Sequence, residues 1–190
     1  MLSISNAPEI GDRILAAAAS CVVDYGIDRV TLAEIARRAR LSRPTIYRRF
    51  PDTDSILAAL LTSRVVAVLA DVPQLGVDRP ALVDRIIRVA ARLRDDDIIM
   101  AVLHSAPELA MTYIAERLGS SQQILIGALA ADLTAAQAGG SVRDGEPRQL
   151  AAMVLLIVQS SIQSARIIEG ILPTDVLAAE LRHALNGYLA

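Results

Sequence analysis

Arginine is concentrated in one short segment near the N-terminus, and its guanidinium group is well suited to binding phosphate. Residues 29–49 contain seven arginines against a single acid, Glu34, which gives a local charge of +6. Residues 65–190 contain ten arginines against fourteen acids, and the whole chain has a formal net charge of −2. Because a cationic cluster on an acidic chain attracts a polyanion, the segment predicts contact with nucleic acid. The seven residues are Arg29, Arg37, Arg38, Arg40, Arg43, Arg48 and Arg49.

The same segment has the start and stop signals of two short helices. Thr31 followed by Glu34 is a capping box, in which each side chain satisfies a backbone amide at the helix start. Apolar residues then follow a helical stripe through residues 32–39. Ser42 is a good N-cap for a second helix, and Pro44 is tolerated in its first turn. The segment therefore predicts two helices joined by a tight turn.

Two helices in this arrangement are typical of a helix-turn-helix, in which the second helix lies in the major groove of DNA. We expect Ile46, Tyr47 and Phe50 to point inward, which leaves the other side of the second helix exposed. Backbone amides near Thr31 and Ser42 are expected to add phosphate contacts. The exposed side chains expected to reach DNA are Arg43, Thr45 and Arg48.

The stretch "ILAAAASCVVDYGIDRVTLAEIARRARLSRPTIYRRFPDTDSILAALL" resembles the DNA-binding segment of tetracycline-repressor (TetR) family transcription regulators. The resemblance covers about residues 10–64, and beyond them only the all-helical layout is similar. It implies a homodimer in which each N-terminal unit reads one half-site, and a larger helical domain that binds a small molecule. By motif position, the implied DNA contacts are Thr31, Arg43, Thr45, Tyr47 and Arg48, with Tyr47 on phosphate.

Two positions depart from the family pattern. The turn residue that is commonly Gly is Arg40 here, so a left-handed backbone at this position would carry strain. The fourth helix starts with Asp52-Thr53-Asp54, where the family often has a Lys that binds phosphate. The two acids can cap the helix but would repel DNA, so no strong phosphate contact is expected there.

Helical spacing continues along nearly the whole chain, and no strand-like alternation persists. We predict an all-α fold of about nine helices, with a three-helix DNA-binding domain at residues 8–52. Residues 53–190 are predicted to form a larger effector-binding and dimerisation domain. Its predicted helices cover about residues 52–70, 80–94, 95–105, 107–139, 148–169 and 174–188.

The last two helices are candidates for the dimer interface. The eighth mixes apolar and small residues, and the ninth has an apolar stripe. Burial inside a single subunit is the alternative explanation for both. The positions are Met153, Leu156, Ile157, Ser160, Ser161, Ser164 and Ile168 in the eighth helix, and Leu177, Leu181, Leu185 and Tyr188 in the ninth.

Polar side chains among apolar neighbours in the middle region are candidates to orient a small molecule. Few aromatics are available, so the pocket wall would be aliphatic and lined by methionine, which favours an apolar effector. Surface or hydrogen-bond network positions are the alternative. The candidate ligand-binding residues are Met100, His104, Tyr113, Arg117, Gln122, Gln159 and Gln163.

Other chemistry finds little support. His104 and His183 are isolated from other ligand types, and there is no nucleophile–base pattern or phosphate loop, so we expect no metal, no cofactor and no enzyme. A single cysteine, no signal peptide, and an apolar run at 150–162 too short for a bilayer predict a cytoplasmic protein. The alternative function is a helical ligand- or protein-binding module that no longer binds DNA.

Overall fold

The computed structural model describes residues 9–105 and 119–190, with backbone only for residues 103–105. The described residues form nine α-helices and no strand, which confirms the predicted all-α class. A single turn of 3-10 helix, Ile27–Arg29, follows the first helix. The helices are α1 (Ile10–Tyr25), α2 (Leu32–Ala39), α3 (Arg43–Tyr47), α4 (Thr53–Asp71), α5 (Arg79–Arg94), α6 (Asp97–Ser105), α7 (Ser120–Ala138), α8 (Pro147–Ile168) and α9 (Thr174–Tyr188).

The described residues divide into two compact units. The N-terminal unit comprises residues 9–63 and 97–105, and the C-terminal unit comprises residues 64–96 and 119–190. The division falls within α4, between Ser63 and Arg64. That residues 8–52 and 53–190 act as the two functional domains stays a prediction.

The N-terminal unit is built around aliphatic side chains from α1 to α4. Ile14 in α1, Ile35 in α2 and Ile46 in α3 are almost completely buried, and Ile56 in α4 joins them. Cys21 is also fully buried, and this burial raises the pKa of its thiol. A neutral thiol among apolar neighbours packs as a small apolar residue. The helices α1, α2 and α3 and the first part of α4 therefore share one core.

The C-terminal unit packs α5, α7, α8 and α9 around a second core. Leu82 and Val83 in α5, Leu133 in α7 and Val154 in α8 are fully buried. The apolar stripe of α9 is part of the same core: Leu177, Leu181 and Leu185 are all buried. Of the two explanations offered for that stripe, the structure supports burial within one subunit.

The prediction of one continuous helix over residues 107–139 is wrong, because residue 119 is not helical. Residues 107–118 lie outside the described residues, and α7 begins only at Ser120. Gly119 precedes it in an extended conformation, with φ −70° and ψ 165°. Its backbone N–H donates to the side-chain oxygen of Gln122 over 2.9 Å. This interaction caps the start of α7, so the predicted helix does not run continuously through residue 119.

Two helices among the described residues, α4 and α8, are long and apolar enough to cross a bilayer by length and composition alone. This corrects the expectation that the apolar run in α8 is too short, because the helix extends over 22 residues. In the most apolar 18-residue stretch of each helix, 33% of the residues are buried in α4 and 17% in α8. The large apolar side chains of α8 that are exposed are Met153, Leu156 and Ile167.

Candidate nucleic-acid interface

The start of α2 is capped by Thr31, whose side-chain oxygen accepts the N–H of Glu34 over 3.2 Å. The reciprocal half of the predicted capping box does not form. The carboxylate of Glu34 instead accepts hydrogen bonds from Arg37 and Arg38, at 2.6–2.8 Å. Charged donors bind a carboxylate more strongly than a neutral backbone amide does. These bonds, chiefly the one from Arg37, lower the pKa of Glu34 to about 2.

Arg38 connects α2 to α1. Its Nη1 donates to Ser20 Oγ and Asp24 Oδ2, each over 2.5 Å, and the guanidinium lies 4.8 Å from the ring centroid of Tyr25. The hydrogen bond with Glu34 is the main reason that the pKa of Arg38 is raised. Arg37 and Arg38 are therefore neutralised within the unit. Two of the seven arginines counted in the cationic cluster are thus not free to offer their charge to DNA.

The turn after α2 has the left-handed backbone anticipated at Arg40, with φ 52° and ψ 46°. Arg40 is the only non-glycine residue with positive φ in the part of the chain described. Its N–H donates to Arg37 O over 3.2 Å, and the N–H of Leu41 donates to Ala36 O over 3.0 Å. These two bonds form a Schellman motif, which usually has Gly at the left-handed position. For a residue with a Cβ, that conformation costs roughly 1–2 kcal/mol.

Arg13 on α1 holds the turn from outside. Its Nη2 donates to Ala39 O over 2.7 Å and lies 3.4 Å from Arg40 O. A guanidinium at a helix C-terminus satisfies the free carbonyls and interacts favourably with the helix dipole. The contact spans 26 residues of sequence, so no local pattern announced it. Arg13 was therefore missed as a residue that positions the interface.

α3 begins as predicted at Ser42, whose Oγ accepts the N–H of Thr45 over 3.3 Å. The hydroxyls of Ser42 and Thr45 also share a hydrogen bond of 2.8 Å. Ile46 is 1% exposed and anchors the helix to the core, whereas Tyr47 is 54% exposed. The expectation that Tyr47 points inward is wrong, because each helical residue is turned about 100° from the one before it. Its ring and hydroxyl are available to a ligand.

The charge left uncompensated lies around the turn and α3. Arg40, Arg43 and Arg48 are exposed, and their guanidinium groups form no hydrogen bond or ion pair within residues 9–105 and 119–190. The guanidinium of Arg29, just before α2, is likewise exposed and unpaired among the described residues. Arg49 differs, because its guanidinium lies against α1, where a Cβ added to Gly11 would be 3.3 Å from Nη2. The structure thus brings unpaired guanidinium groups and the hydroxyls of Ser42, Thr45 and Tyr47 onto α3 and its flanks.

The acidic start of α4 is used locally. Asp52 Oδ1 accepts the N–H of Ser55 over 2.7 Å, which confirms the predicted cap. Asp54 lies in the first helical turn, where a negative charge is stabilised by the helix dipole. The two acids are accounted for by helix capping.

The candidate ligand-binding residues are only partly described. The side chain of His104 and all of Tyr113 and Arg117 lie outside the described part of the structure. Met100 is half-buried in α6 of the N-terminal unit. In the C-terminal unit, Gln122 Nε2 donates to Gln159 Oε1 over 2.9 Å. One turn further along α8, the buried Nε2 of Gln163 has no partner among the described residues.

One cavity of the C-terminal unit lies between α5, α8 and α9, lined by residues that include Ile87, Ser161 and Leu177. Its volume is about 40 Å³, and neither Gln159 nor Gln163 lines it. A water molecule needs roughly 10–15 Å³ on this measure, so the cavity holds a few waters at most. At this size it does not accommodate a small-molecule effector.

Short helices, a tight turn and an exposed second helix define the helix-turn-helix class of DNA-binding proteins. The sequence model of bacterial regulatory proteins of the tetR family matches residues 14–60. An HTH-type transcriptional regulator of Mycobacterium bovis, Mb2274c, is 66% identical over all 190 residues of both chains. Its Mycobacterium tuberculosis counterpart Rv2250c is 65% identical over the same length. The chain belongs to the TetR family of transcription regulators, as its sequence motif suggested.

Solved structures of the family share the fold over nearly the whole chain. The Rhodococcus erythropolis repressor QsdR has a TM-score of 0.71 at 18% identity, covering 95% of this chain and 96% of its own. RolR in complex with resorcinol has a TM-score of 0.70 at 17% identity, covering 95% and 87%. Bacillus subtilis FadR with stearoyl-CoA has a TM-score of 0.61 at 18% identity, covering 94% and 99%. The all-helical layout beyond residue 64 is thus a family fold.

Proposed function

We propose that this regulator binds a palindromic operator as a homodimer, and that it is a repressor released by a small-molecule effector. The observation that carries the DNA-binding part is the group of exposed, unpaired arginines on α3 and its flanks. Arg43 and Arg48 would contact bases or phosphates, and Tyr47 would donate its hydroxyl to a phosphate. Thr31, Ser42 and Thr45 would add contacts from the starts of α2 and α3. In a cell, this function places the protein in the cytoplasm and gives it no enzymatic activity.

The homodimer is supported by the uncovered face of α8. Met153 is 44% exposed, Leu156 is 61% exposed, and Ile167 is 85% exposed. Spacings of three to four residues, or multiples of them, place such side chains on one side of the helix. A second copy of the same helix, related by two-fold symmetry, would cover this apolar surface. Members of the family are homodimers that bind DNA and small-molecule ligands.

Met100, His104, Tyr113 and Arg117 remain candidate effector contacts from the sequence alone. In the C-terminal unit, we propose an effector site at Gln159 and Gln163. Its support is the unpartnered amide of Gln163, because buried polar groups normally have a hydrogen-bond partner. A chain in which hydrophobic residues are 53% and aromatics only 3% would line the pocket with aliphatic groups. We therefore propose an effector with an apolar body and a few polar atoms. It would stabilise a state in which the two α3 helices no longer match half-sites about 34–36 Å apart.

The test is fluorescence anisotropy with labelled duplexes from the DNA upstream of the chain's own gene, and with duplexes selected from a random library. We expect tight binding that weakens steeply with salt. Arg43→Ala and Tyr47→Ala should each weaken it, whereas Arg92→Ala removes an equal exposed charge from α5 and should not. Absence of binding to every duplex would favour the alternative, a module of the same fold that no longer binds DNA.

A further inference from the structure

We propose that Arg40, in the turn between α2 and α3, is an additional phosphate contact of the DNA interface. The proposal rests on the proposed DNA-binding function and adds to it a residue that the family motif would leave as Gly. Two features of the structure carry it. They are the left-handed backbone at this residue and the unpaired state of its guanidinium group.

The turn geometry itself does not require arginine. The C-terminus of α7 ends in the same motif, with Gly140 at φ 67° in the left-handed position. There the N–H of Gly140 donates to Gln137 O over 2.9 Å, and the N–H of Ser141 donates to Ala136 O over 3.0 Å. The same pair of hydrogen bonds thus closes one helix with Gly and the other with Arg. Since Gly adopts this backbone without strain, the reason for Arg40 must lie in its side chain.

The backbone at Arg40 is fixed by its surroundings. Two Schellman hydrogen bonds close the turn from within, and Arg13 binds the carbonyl of Ala39 from α1. A strained residue persists where neighbouring structure over-determines it. Because the turn is held in this way, the backbone from which the Arg40 side chain extends is fixed just before Ser42. Binding an anion would then require no further ordering of the backbone at this residue.

The environment of this guanidinium lacks a counter-charge. Arg37 and Arg38, in the preceding helical turn, are both bound to Glu34. Arg40 is exposed and has no acidic or aromatic partner within the described ranges. Its neighbour Arg43 is also unpaired. A phosphate of the DNA backbone supplies the missing negative charge and suits the planar guanidinium fork.

The experiment compares Arg40→Gly with the wild type by anisotropy, across a series of salt concentrations. The probes are a duplex selected by the wild-type protein and a scrambled duplex of equal length. Arg40→Gly should weaken binding several-fold on both, because a phosphate contact is independent of sequence. The slope of log affinity against log salt should fall in magnitude by about 0.9 per subunit. Arg148→Ala, which removes an equal exposed charge from α8, is the matched control and should keep the wild-type slope.

Thermal unfolding separates this role from a structural one. Arg40→Gly should melt at or above the wild-type temperature, because Gly relieves the left-handed strain. Arg40→Lys should keep the salt slope of the wild type. Arg40→Asn should show the same shallower slope as Arg40→Gly, although Asn also tolerates this backbone. Wild-type affinity and slope in Arg40→Gly would overturn the inference while leaving the proposed function standing. A wild-type protein without salt-dependent DNA binding would overturn both.

Discussion

Arg85 in α5 and Arg43 in α3 carry the same guanidinium group in different surroundings. The side chain of Arg85 is 15% exposed, forms an ion pair with Asp132 on α7 and donates to Val72 O over 3.0 Å. Arg43 is exposed, and no partner for it is present among residues 9–105 and 119–190. One side chain joins helices within the C-terminal unit. The other is left available to a ligand.

Most arginines of the C-terminal unit resemble Arg85. Arg88 and Arg182 both bind Asp84; burial alone would raise the pKa of that carboxyl, but these hydrogen bonds lower it. Arg143 donates to the backbone oxygen of Tyr188 over 2.8 Å and lies over its ring. The unpaired exceptions, Arg79, Arg92, Arg148 and Arg166, are scattered over α5 and α8. What distinguishes the N-terminal unit is the clustering of unpaired arginines on one turn and one helix.

The largest expected effect is on the free energy of unfolding when the paired residue Arg85 is replaced. Arg85→Ala should destabilise the protein by about 3 kcal/mol, because it leaves Asp132 without its counter-charge in a mostly buried place. Denaturant unfolding measures the loss. The double variant Arg85→Met with Asp132→Leu should recover much of the stability, since it removes both charges. A loss below about 1 kcal/mol in the single variant would show that the ion pair is not structural.

Arg43→Ala should weaken DNA binding without changing the stability of the fold. We expect a loss of about 1–3 kcal/mol of DNA-binding free energy per subunit and no measurable change in unfolding. Anisotropy titrations and thermal melts on the same preparation give both values. Arg92→Ala serves as control, because it removes an exposed, unpaired arginine from α5. Equal losses in the two variants would mean that only overall charge matters.

Tyr47→Phe should have a smaller effect. It removes one hydroxyl, whose hydrogen bond to a phosphate would contribute about 1 kcal/mol per subunit. Stability should be unchanged because the ring is largely exposed. The matched control is Tyr25→Phe in α1, whose ring contacts Arg38 and is not proposed to touch DNA. A drop in melting temperature for Tyr47→Phe would place its hydroxyl in the fold rather than at the interface.

The smallest effect concerns the neutralised pair Arg37 and Arg38. The pKa of Glu34 is about 2 in the folded chain, below its ordinary value of 4.5. Ionised Glu34 therefore stabilises the fold above pH 4.5, and that contribution is lost as the pH falls toward 2. Thermal melts across this range should show a steeper decline for the wild type than for Glu34→Gln. Identical pH profiles would show that the hydrogen bonds to Glu34 do not stabilise the unit.

The local features of the interface were predictable because they depend on neighbours in sequence. The caps at Thr31, Ser42 and Asp52 follow from residue types at fixed spacings. The left-handed turn at Arg40 was indicated by the family resemblance, in which this position is commonly Gly. The inward placement of Tyr47 failed because a five-residue helix has too few positions to define its buried face. Only Ile46 of α3 is buried, and the neighbouring tyrosine is turned away from it.

The long-range partners were not predictable. Arg13 and Arg38 look no different from Arg43 in the sequence, yet their contacts reach 26 and 14 residues away. A charge sum therefore overestimated the charge available to DNA. The same limit applies to α9, whose leucine stripe fits either a dimer interface or a core until its packing is known. Its leucines are buried, whereas α8 exposes Met153, Leu156 and Ile167.

The most direct test is the salt dependence of DNA affinity in two double variants. Arg43→Ala with Arg48→Ala removes two unpaired charges from α3 and its end, and Arg92→Ala with Arg148→Ala removes two from α5 and the first turn of α8. If the guanidinium groups near the turn meet phosphates, the first variant binds more weakly and has a shallower slope, by about 0.9 for each phosphate that is no longer neutralised. The second should retain the wild-type slope. Equal slopes in both variants and the wild type would contradict the assignment of this surface to DNA.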